Sequence, residues 1–242
     1  MRDDALLTLD GVHTHIGQYH ILQGVDLVVP RAGLTVLLGR NGAGKSTTLR
    51  TIIGMWHASR GRITFDGADI TAEATPDISR RGIAFVPEDM GIFSGLTVQE
   101  NLRLAARSGR FDEARLEWIF GLFPALQRFW LRPGGLLSGG QKQMVAIARA
   151  IIEPRKLLLI DEPTKGLAPA IIDNLGQAFD ALKARDTTIL LVEQNFHFVR
   201  ALGDHVAVMD DGRIVHTGSM AALSEDEELQ SRLLGLQAGA VH

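Results

Sequence analysis

Cysteine is absent from the 242 residues, and tyrosine occurs only once. Without cysteine the chain can form neither a disulfide nor a thiolate-ligated zinc site, and we expect it to work in a reducing compartment. An excess of charge of one sign is also lacking, because 25 basic residues face 28 acidic ones and the formal net charge is −3. Because the chain has no excess of basic residues, its charge gives no indication that nucleic acid is a partner.

Long apolar runs are lacking as well. The longest, such as 157–160, contain a handful of residues, whereas a membrane-spanning helix needs about 20. The opening Met-Arg-Asp-Asp does not resemble a secretory signal. We therefore expect a cytoplasmic protein that meets a membrane only through partners. Its 45% hydrophobic and 22% charged residues are ordinary for a globular protein of one or two domains.

The strongest motif is a glycine-rich loop between an apolar strand pattern and a helical pattern. It consists of Gly39, Arg40, Asn41, Gly42, Ala43, Gly44, Lys45, Ser46 and Thr47. Such a loop turns its backbone N–H groups towards an anion, and the N-terminus of the next helix adds partial positive charge. Lys45 would reach the β- and γ-phosphates of a nucleotide, and Ser46 would bind Mg²⁺. A glycine-rich turn with a chance lysine is the alternative, and the complete motif with its flanks argues against it.

A second motif is an apolar strand that ends in two carboxylates, Asp161 and Glu162. Open α/β sheets bind their ligands at the carboxyl ends of strands. Asp161 would therefore hold Mg²⁺, and Glu162 would polarise a water that attacks the γ-phosphate. A surface pair of acidic residues is the alternative, and the phosphate loop upstream makes it the weaker one.

The third motif is the stretch Leu-Ser-Gly-Gly-Gln. Ser138 and Gln141 form a capping box at a helix start, with Gly139 and Gly140 between them. Two glycines also leave the first amides of the helix open to an anion. The local chemistry does not decide between a helix cap and an anion site.

The rest of the chain alternates strand and helix patterns. Strands are predicted over 6–9, 25–29, 34–38, 61–66, 82–86, 157–160, 187–192, 205–209 and 213–216. The first two are expected to be short, with a loop containing histidine and glycine between them. The hairpin at Asp66-Gly67 adds to a small antiparallel sheet near the N-terminus.

The stretch from Glu88 to Leu137 has a different, helical character. Thr97 begins one helix with a capping box, and a second helical run starts at 111–113 with Ile119, Phe123 and Leu126 on one face. We expect a single α/β domain. Residues 1–87 and 139–242 would form the core with its antiparallel β subdomain, and residues 88–138 a helical subdomain.

Along the chain the glycine-rich loop comes first, Leu-Ser-Gly-Gly-Gln second and the strand that ends in Asp161 and Glu162 third. In that order the three motifs strongly resemble those of the ATPase subunits of ABC transporters, over nearly the whole chain. The resemblance implies a P-loop NTPase fold, ATP and Mg²⁺ as cofactors, two ATPase subunits packed head to tail, and transmembrane permease subunits as further partners. Ser138, Gly139, Gly140 and Gln141 would then contact the ATP held by the other subunit, and 165–169 would lie at the dimer contact. The chain would be peripheral on the cytoplasmic face of the inner or plasma membrane.

Three positions depart from the usual family pattern. Glu88 stands where glutamine is common and would still contact the metal. Gln194 stands at the switch histidine, so it would reach the γ-phosphate without carrying a proton. Ile16 stands where an aromatic stacks on adenine, and Tyr19 is an alternative stacking residue. By this resemblance Lys45, Glu162 and Gln194 would be the catalytic residues.

The sequences Val-Pro-Glu, Glu-Pro-x-x-Gly-Leu-Ala-Pro and Leu-Val-Glu-Gln-Asn together resemble one subgroup. It contains the second ATPase subunit of branched-chain amino acid uptake systems, with urea-type relatives close by. This implies ATP hydrolysis coupled to amino acid import. The alternatives are another small solute such as urea, an exporter, a regulatory ABC-type protein of DNA repair or translation, and a hydrolysis-weak partner in a heterodimer. The DNA-repair alternative is disfavoured because the chain has neither two fused ATPase halves nor a long coiled-coil insertion.

Overall fold

The computed structural model describes residues 4–235. Its strands are β1 (Ala5–Ile16), β2 (Tyr19–Pro30), β3 (Leu34–Gly39), β4 (Ala58–Phe65), β5 (Ala68–Asp69), β6 (Ile83–Val86), β7 (Leu157–Asp161), β8 (Thr188–Val192), β9 (His205–Asp210) and β10 (Arg213–Ser219). Its α-helices are α1 (Lys45–Ile52), α2 (Thr75–Arg80), α3 (Val98–Ala105), α4 (Glu113–Leu122), α5 (Pro124–Arg128), α6 (Gly139–Ile151), α7 (Pro169–Lys183), α8 (Phe196–Leu202), α9 (Met220–Glu225) and α10 (Glu227–Leu234). A short 3₁₀ turn covers Gly134–Leu136.

A six-stranded sheet of order β10-β9-β3-β8-β7-β6 forms the centre of the fold. Its strands are parallel except for β10, which pairs antiparallel with β9. Both β7 and β8 are buried along their whole length, as the apolar runs 157–160 and 189–192 predict. Because the strands run in one direction, the carboxyl ends of β3, β6, β7 and β8 meet at one edge. The predicted α/β fold is confirmed.

Each face of this sheet has its own core. Leu34, Val36 and Leu38 of β3 point to the face where α6 and α7 pack, together with the apolar side chains of the helical stretch. Leu37 points to the other face, where it joins Leu49 of α1 and the inward side chains of the antiparallel sheet. Alternation along one strand therefore ties the two layers together.

The antiparallel sheet has the order β2-β1-β4-β5 and is confirmed near the N-terminus. The prediction of two short strands with a loop between them was wrong, because β1 and β2 continue to the turn after Ile16. Val12 and Thr14 are fully buried, whereas His13 and His15 point outward. The histidines thus belong to a strand with period-two alternation, although their polarity suggested a loop.

The helical stretch contains one break that the sequence pattern did not predict. The Thr97 hydroxyl accepts a hydrogen bond from Glu100 N, and Thr97 N donates to the Glu100 carboxylate. The predicted capping box is therefore confirmed. The single run expected after 111–113 was wrong, because α4 ends at Leu122 and α5 begins at Pro124. Proline disfavours helical backbone at the preceding residue, and Phe123 has φ −131° and ψ 73°. The division of the domain at 88 and 138 stays a prediction.

Across residues 4–235, no helix combines the length and the apolar character that crossing a bilayer would require.

Candidate functional site

The glycine-rich loop connects β3 to α1 at the carboxyl edge of the central sheet. Gly39 has φ 148°, and a Cβ there would lie 2.2 Å from the carbonyl oxygen of Met209. Only glycine permits this close approach of two backbones. Gly44 caps α1 in a left-handed conformation with φ 106°. The loop therefore curls back over the start of α1, which is the shape that a phosphate-binding loop needs.

Lys45 lies inside this curl and is only 4% exposed. Its Nζ donates to the carbonyl oxygens of Gly39 at 2.9 Å and of Arg40 at 3.0 Å. The carboxylate nearest to it is Glu162, whose Oε1 lies 3.9 Å from Nζ. Burial lowers the pKa of Lys45, and the negative charge of Glu162 is the largest effect in the other direction. The ammonium group is held by neutral carbonyls and lies within reach of an anion in the loop.

Ser46 and Asp161 come together from the two predicted motifs. The Ser46 hydroxyl donates to Asp161 Oδ1 at 3.0 Å, and Asp161 is fully buried. In the part of the chain that the structure describes, Asp161 Oδ2 is buried without a hydrogen-bond partner. Burial raises the pKa of Asp161 to about 6, although the Ser46 hydrogen bond acts in the opposite direction. A buried carboxylate with one unsatisfied oxygen fits a cation that would favour its ionised form.

The metal site would need ligands from outside the chain. No group of three or more histidine, aspartate or glutamate side chains in residues 4–235 is arranged to hold a metal ion. Mg²⁺ is commonly bound by one or two carboxylates together with substrate phosphates and waters. Ser46 and Asp161 fit that incomplete kind of site.

Glu162 directly follows β7 and has a positive φ of 45°, which is uncommon for a residue other than glycine. Its backbone N–H donates to Val192 O at 2.9 Å, so the bond to the end of β8 holds this conformation. The Gln194 amide donates to Glu162 Oε1 and also to Asn41 Oδ1 at 2.8 Å. The Gln194 side chain thus connects its own loop to Asn41 and to Glu162, so three predicted residues from three separate loops are joined.

Glu88 follows β6 and faces the same space. Its Oε1 accepts from Lys165 Nζ at 2.5 Å, and the same Nζ lies 3.9 Å from Glu162 Oε2. Glu88 makes no hydrogen bond with Ser46 or Asp161 among the described residues. The structure therefore places Glu88 beside the predicted metal site, with a lysine as its direct partner.

These residues surround a cavity of about 350 Å³ over the phosphate loop. It is lined by Ile21, Asn41, Gly42, Gly44, Lys45, Ser46, Thr47, Glu88, Glu162 and Lys165. A neighbouring cavity of about 250 Å³ is lined in part by Gly39, Arg40, Asn41 and Gln194. Most of the predicted nucleotide contacts therefore share one region, and Ile21 is a lining residue that the sequence analysis missed.

Five predicted contacts lie outside the glycine-rich loop and away from this region. Ile16, Ser138, Gly139, Gly140 and Gln141 line neither of these cavities. Ser138 and Gln141 form the predicted capping box at the start of α6, with Gln141 N donating to Ser138 Oγ at 3.3 Å and Ser138 N to Gln141 Oε1 at 2.9 Å. A Cβ at Gly140 would lie 2.9 Å from the Ile171 side chain, so close packing of α7 also requires this glycine.

Glu193 is a further residue that the sequence analysis missed. It is 2% exposed and accepts four hydrogen bonds. Oε1 accepts from the Thr164 backbone at 3.0 Å and its hydroxyl at 2.6 Å, and Oε2 accepts from Gln194 N at 2.9 Å and Asn195 N at 3.1 Å. This carboxylate fixes the loop after β7 to the loop after β8. A glutamate that ends an apolar strand was the available signal.

This arrangement defines the class: an α/β protein that binds a nucleoside triphosphate at the carboxyl edge of its parallel strands. The family model described as ABC transporter matches residues 22–165. The chain belongs to this family, and it is an ATP-binding ABC-type ATPase.

Several relatives match end to end. The chain is 37% identical to the high-affinity branched-chain amino acid transport ATP-binding protein BraG of Pseudomonas aeruginosa, over 95% of this chain and 100% of BraG. It is 35% identical to the probable branched-chain amino acid transport ATP-binding protein LivF of Archaeoglobus fulgidus, over 90% and 94% of the two chains. It is 30% identical to the lipopolysaccharide export system ATP-binding protein LptB of Haemophilus influenzae, over 96% and 98%. A solved ATP-binding subunit of an ABC transporter superimposes with a TM-score of 0.81 at 32% identity, over 95% and 96% of the two chains.

Glu193→Gln should destabilise the fold by about 2 kcal/mol, because in either amide orientation at least one buried N–H would face an NH₂ group. The measurement is the free energy of unfolding from urea denaturation. Glu117→Gln makes the same chemical change at an exposed position of α4 and should alter stability by less than about 0.5 kcal/mol. Equal stability of the two variants would contradict the role of Glu193 as the link between the loops.

Proposed function

We propose that this chain is the ATP-hydrolysing subunit of an importer of branched-chain amino acids. In this proposal two ATPase subunits pack together on the cytoplasmic face of transmembrane permease subunits, and ATP binding and hydrolysis at their interface drive transport. The choice of branched-chain amino acids as the solute rests on the match to BraG, which extends over 100% of that protein. The lipopolysaccharide export protein LptB is also matched along its length, at a lower identity of 30%.

The phosphate end of ATP fits the cavity over the glycine-rich loop. Lys45 would bind the β- and γ-phosphates, and the backbone of 39–47 would surround them. The unsatisfied Oδ2 of Asp161 and the hydroxyl of Ser46 would hold Mg²⁺, with Glu88 as a further ligand from the segment after β6. When bound, the ion would neutralise developing charge on the phosphate oxygens.

Glu162 is the group that would act on the attacking water. Its carboxylate would accept the water proton while the oxygen bonds to the γ-phosphorus, and the bond to the β–γ bridging oxygen would break to release ADP. Gln194 holds Glu162 Oε1 through its amide N–H, and a glutamine carries no titratable proton. Its role would be to orient Glu162 and to donate to the γ-phosphate.

The start of α6 would complete the site of the other subunit. Ser138 and Gly139 are exposed, and their helix is 13 residues long. The N-terminus of such a helix attracts an anion. These residues line neither cavity over their own phosphate loop, and this supports a contact with the ATP of a second subunit.

A second large depression offers a place for the permease. It has a volume of about 830 Å³ and lies between the core and the helical stretch, with Trp56, Met90 and Leu104 among its lining residues. Phe93 is 50% exposed nearby and has the Arg149 guanidinium 5.2 Å above its ring. A helix of a permease subunit would dock there, with 88–94 joining it to Glu88 in the ATP site.

Glu162→Gln should abolish ATP turnover but leave ATP-dependent dimers intact, because the amide keeps the shape and loses the proton acceptor. Phosphate release and sedimentation with and without ATP are the measurements. Glu113→Gln, at an exposed position of α4, is the matched control and should keep wild-type turnover. Wild-type turnover as low as that of Glu162→Gln would favour the hydrolysis-weak partner instead.

The adenine end of the site is weakly specified. Ile16 pairs with Tyr19 at the tip of the β1–β2 hairpin, and Tyr19 is 65% exposed. Ile16→Tyr should tighten ATP binding about threefold to tenfold, because aromatic stacking adds about 0.5–1.5 kcal/mol. Calorimetric titration would measure this, with Leu131→Tyr as an exposed control outside the hairpin. A loss of affinity in Tyr19→Ala would assign the stacking role to Tyr19, and unchanged affinity in Ile16→Tyr would place adenine elsewhere.

Deletion of the gene from its native host should abolish uptake of radiolabelled leucine, isoleucine and valine. Re-expression of the wild-type chain should restore that uptake, whereas Glu162→Gln should not. Urea uptake in the same cells is the control for the alternative solute. Loss of urea uptake alone would overturn the amino acid assignment, and purification of the chain with soluble partners only would overturn the transporter assignment.

A further inference from the structure

Lys165 occupies an unusual place between two carboxylates of the ATP site. Its Nζ contacts Glu88 Oε1 at 2.5 Å and lies 3.9 Å from Glu162 Oε2. On the other side of Glu162, the Lys45 Nζ lies 3.9 Å from Oε1. Two ammonium groups therefore flank one carboxylate, and both lysines line the cavity over the phosphate loop.

Stability does not explain this ion pair. The Lys165 side chain is 64% exposed and that of Glu88 is 40% exposed, and ion pairs with such exposure add little to the stability of a fold. Lys156 and Asp66 form a comparable pair, also at 2.5 Å, with the lysine 56% exposed. That pair lies outside the cavity, so it has the same chemistry without access to the nucleotide.

The charges in the cavity change when a nucleotide enters. Glu88, Asp161 and Glu162 face two lysines, and a triphosphate adds several negative charges. A cation that binds Glu88 would weaken the attraction of this carboxylate for Lys165, because the charge of the metal ion offsets that of the carboxylate. Two anions would then remain beside this ammonium: Glu162, 3.9 Å away and already flanked by Lys45, and the end of a triphosphate in the same cavity. An exposed lysine with four rotatable side-chain bonds can make this move.

We propose that Lys165 is a second phosphate-binding lysine, whose ammonium leaves Glu88 and binds the terminal phosphate when a nucleoside triphosphate enters the cavity. The inference rests on the proposed ATPase function and adds a residue that distinguishes triphosphate from diphosphate. Glu88 and Lys165 then act as a matched pair. Glu88 holds the lysine beside the cavity until the phosphate replaces it.

Titration calorimetry with Mg²⁺ and either ADP or a non-hydrolysable ATP analogue tests this inference, at protein concentrations where sedimentation shows single subunits. Lys165→Met should weaken binding of the ATP analogue about tenfold, the size of one lost charge-assisted hydrogen bond. Binding of ADP should change by less than about twofold, because ADP lacks the terminal phosphate. Lys165→Arg keeps the charge and should restore most of the affinity for the ATP analogue.

Lys156→Met is the matched control, and both affinities should stay at the wild-type value. Equal weakening of ADP and the ATP analogue in Lys165→Met would overturn the inference, since Lys165 would then only organise Glu88. Unchanged binding of both would overturn it as well. In either case a wild-type chain that binds and hydrolyses ATP leaves the proposed function standing, whereas a wild-type chain that binds neither nucleotide would overturn the proposed function itself.

Discussion

The carboxyl edge of the central sheet holds three charged groups that are almost completely withdrawn from water. Lys45, Asp161 and Glu193 are 4%, 0% and 2% exposed, and each lies at or beyond the carboxyl end of a different parallel strand. A buried charge is tolerated only when hydrogen bonds or opposite charges replace its lost hydration. The conformation of the loops after β3, β7 and β8 follows from this requirement, because those loops supply the replacements.

The three buried charges differ in how many partners replace their lost hydration. This difference separates a structural residue from two residues that would bind ligands. Glu193 has four donors and needs nothing more, so it acts as a fixed link between loops. Asp161 has one donor, Ser46, and an oxygen that no described residue contacts. Lys45 donates to two neutral carbonyls, and the nearest carboxylate oxygen, Glu162 Oε1, lies 3.9 Å away. The incompletely satisfied cation and anion are the two that a phosphate and a metal ion would complete.

Several features of the site could be predicted from the sequence, because each depends on residues that are neighbours in the chain. A phosphate loop, a capping box and an apolar strand ending in acids each span fewer than about ten residues, and local geometry determines them. The length of the β1–β2 hairpin was predicted wrongly because the outward histidines concealed the alternation of Val12 and Thr14. The end of α4 was missed because Pro124 disfavours helical backbone at the residue before it. Ile21 and the Glu88–Lys165 pair depend on how distant segments are aligned, and Glu88 and Lys165 are 77 residues apart. No local pattern contains that alignment.

Under the proposed function the chain would hold the phosphate end of the nucleotide with more polar contacts than the base end. The phosphate side has a cradle, a buried lysine and a partly formed metal site, whereas Ile16 and Ile21 would offer the base only apolar contact. Under the proposed function most of the affinity therefore comes from phosphate and Mg²⁺. The helix start at Ser138 lies outside the cavity over its own phosphate loop, so under the proposed function a single subunit would leave the γ-phosphate without this contact. ATP itself then becomes part of the interface, since its charge is the feature that both the loop of one subunit and the helix end of the other would bind. Under the proposed function, dimer closure would therefore depend on the γ-phosphate, and ATP hydrolysis would remove the group that holds the subunits together.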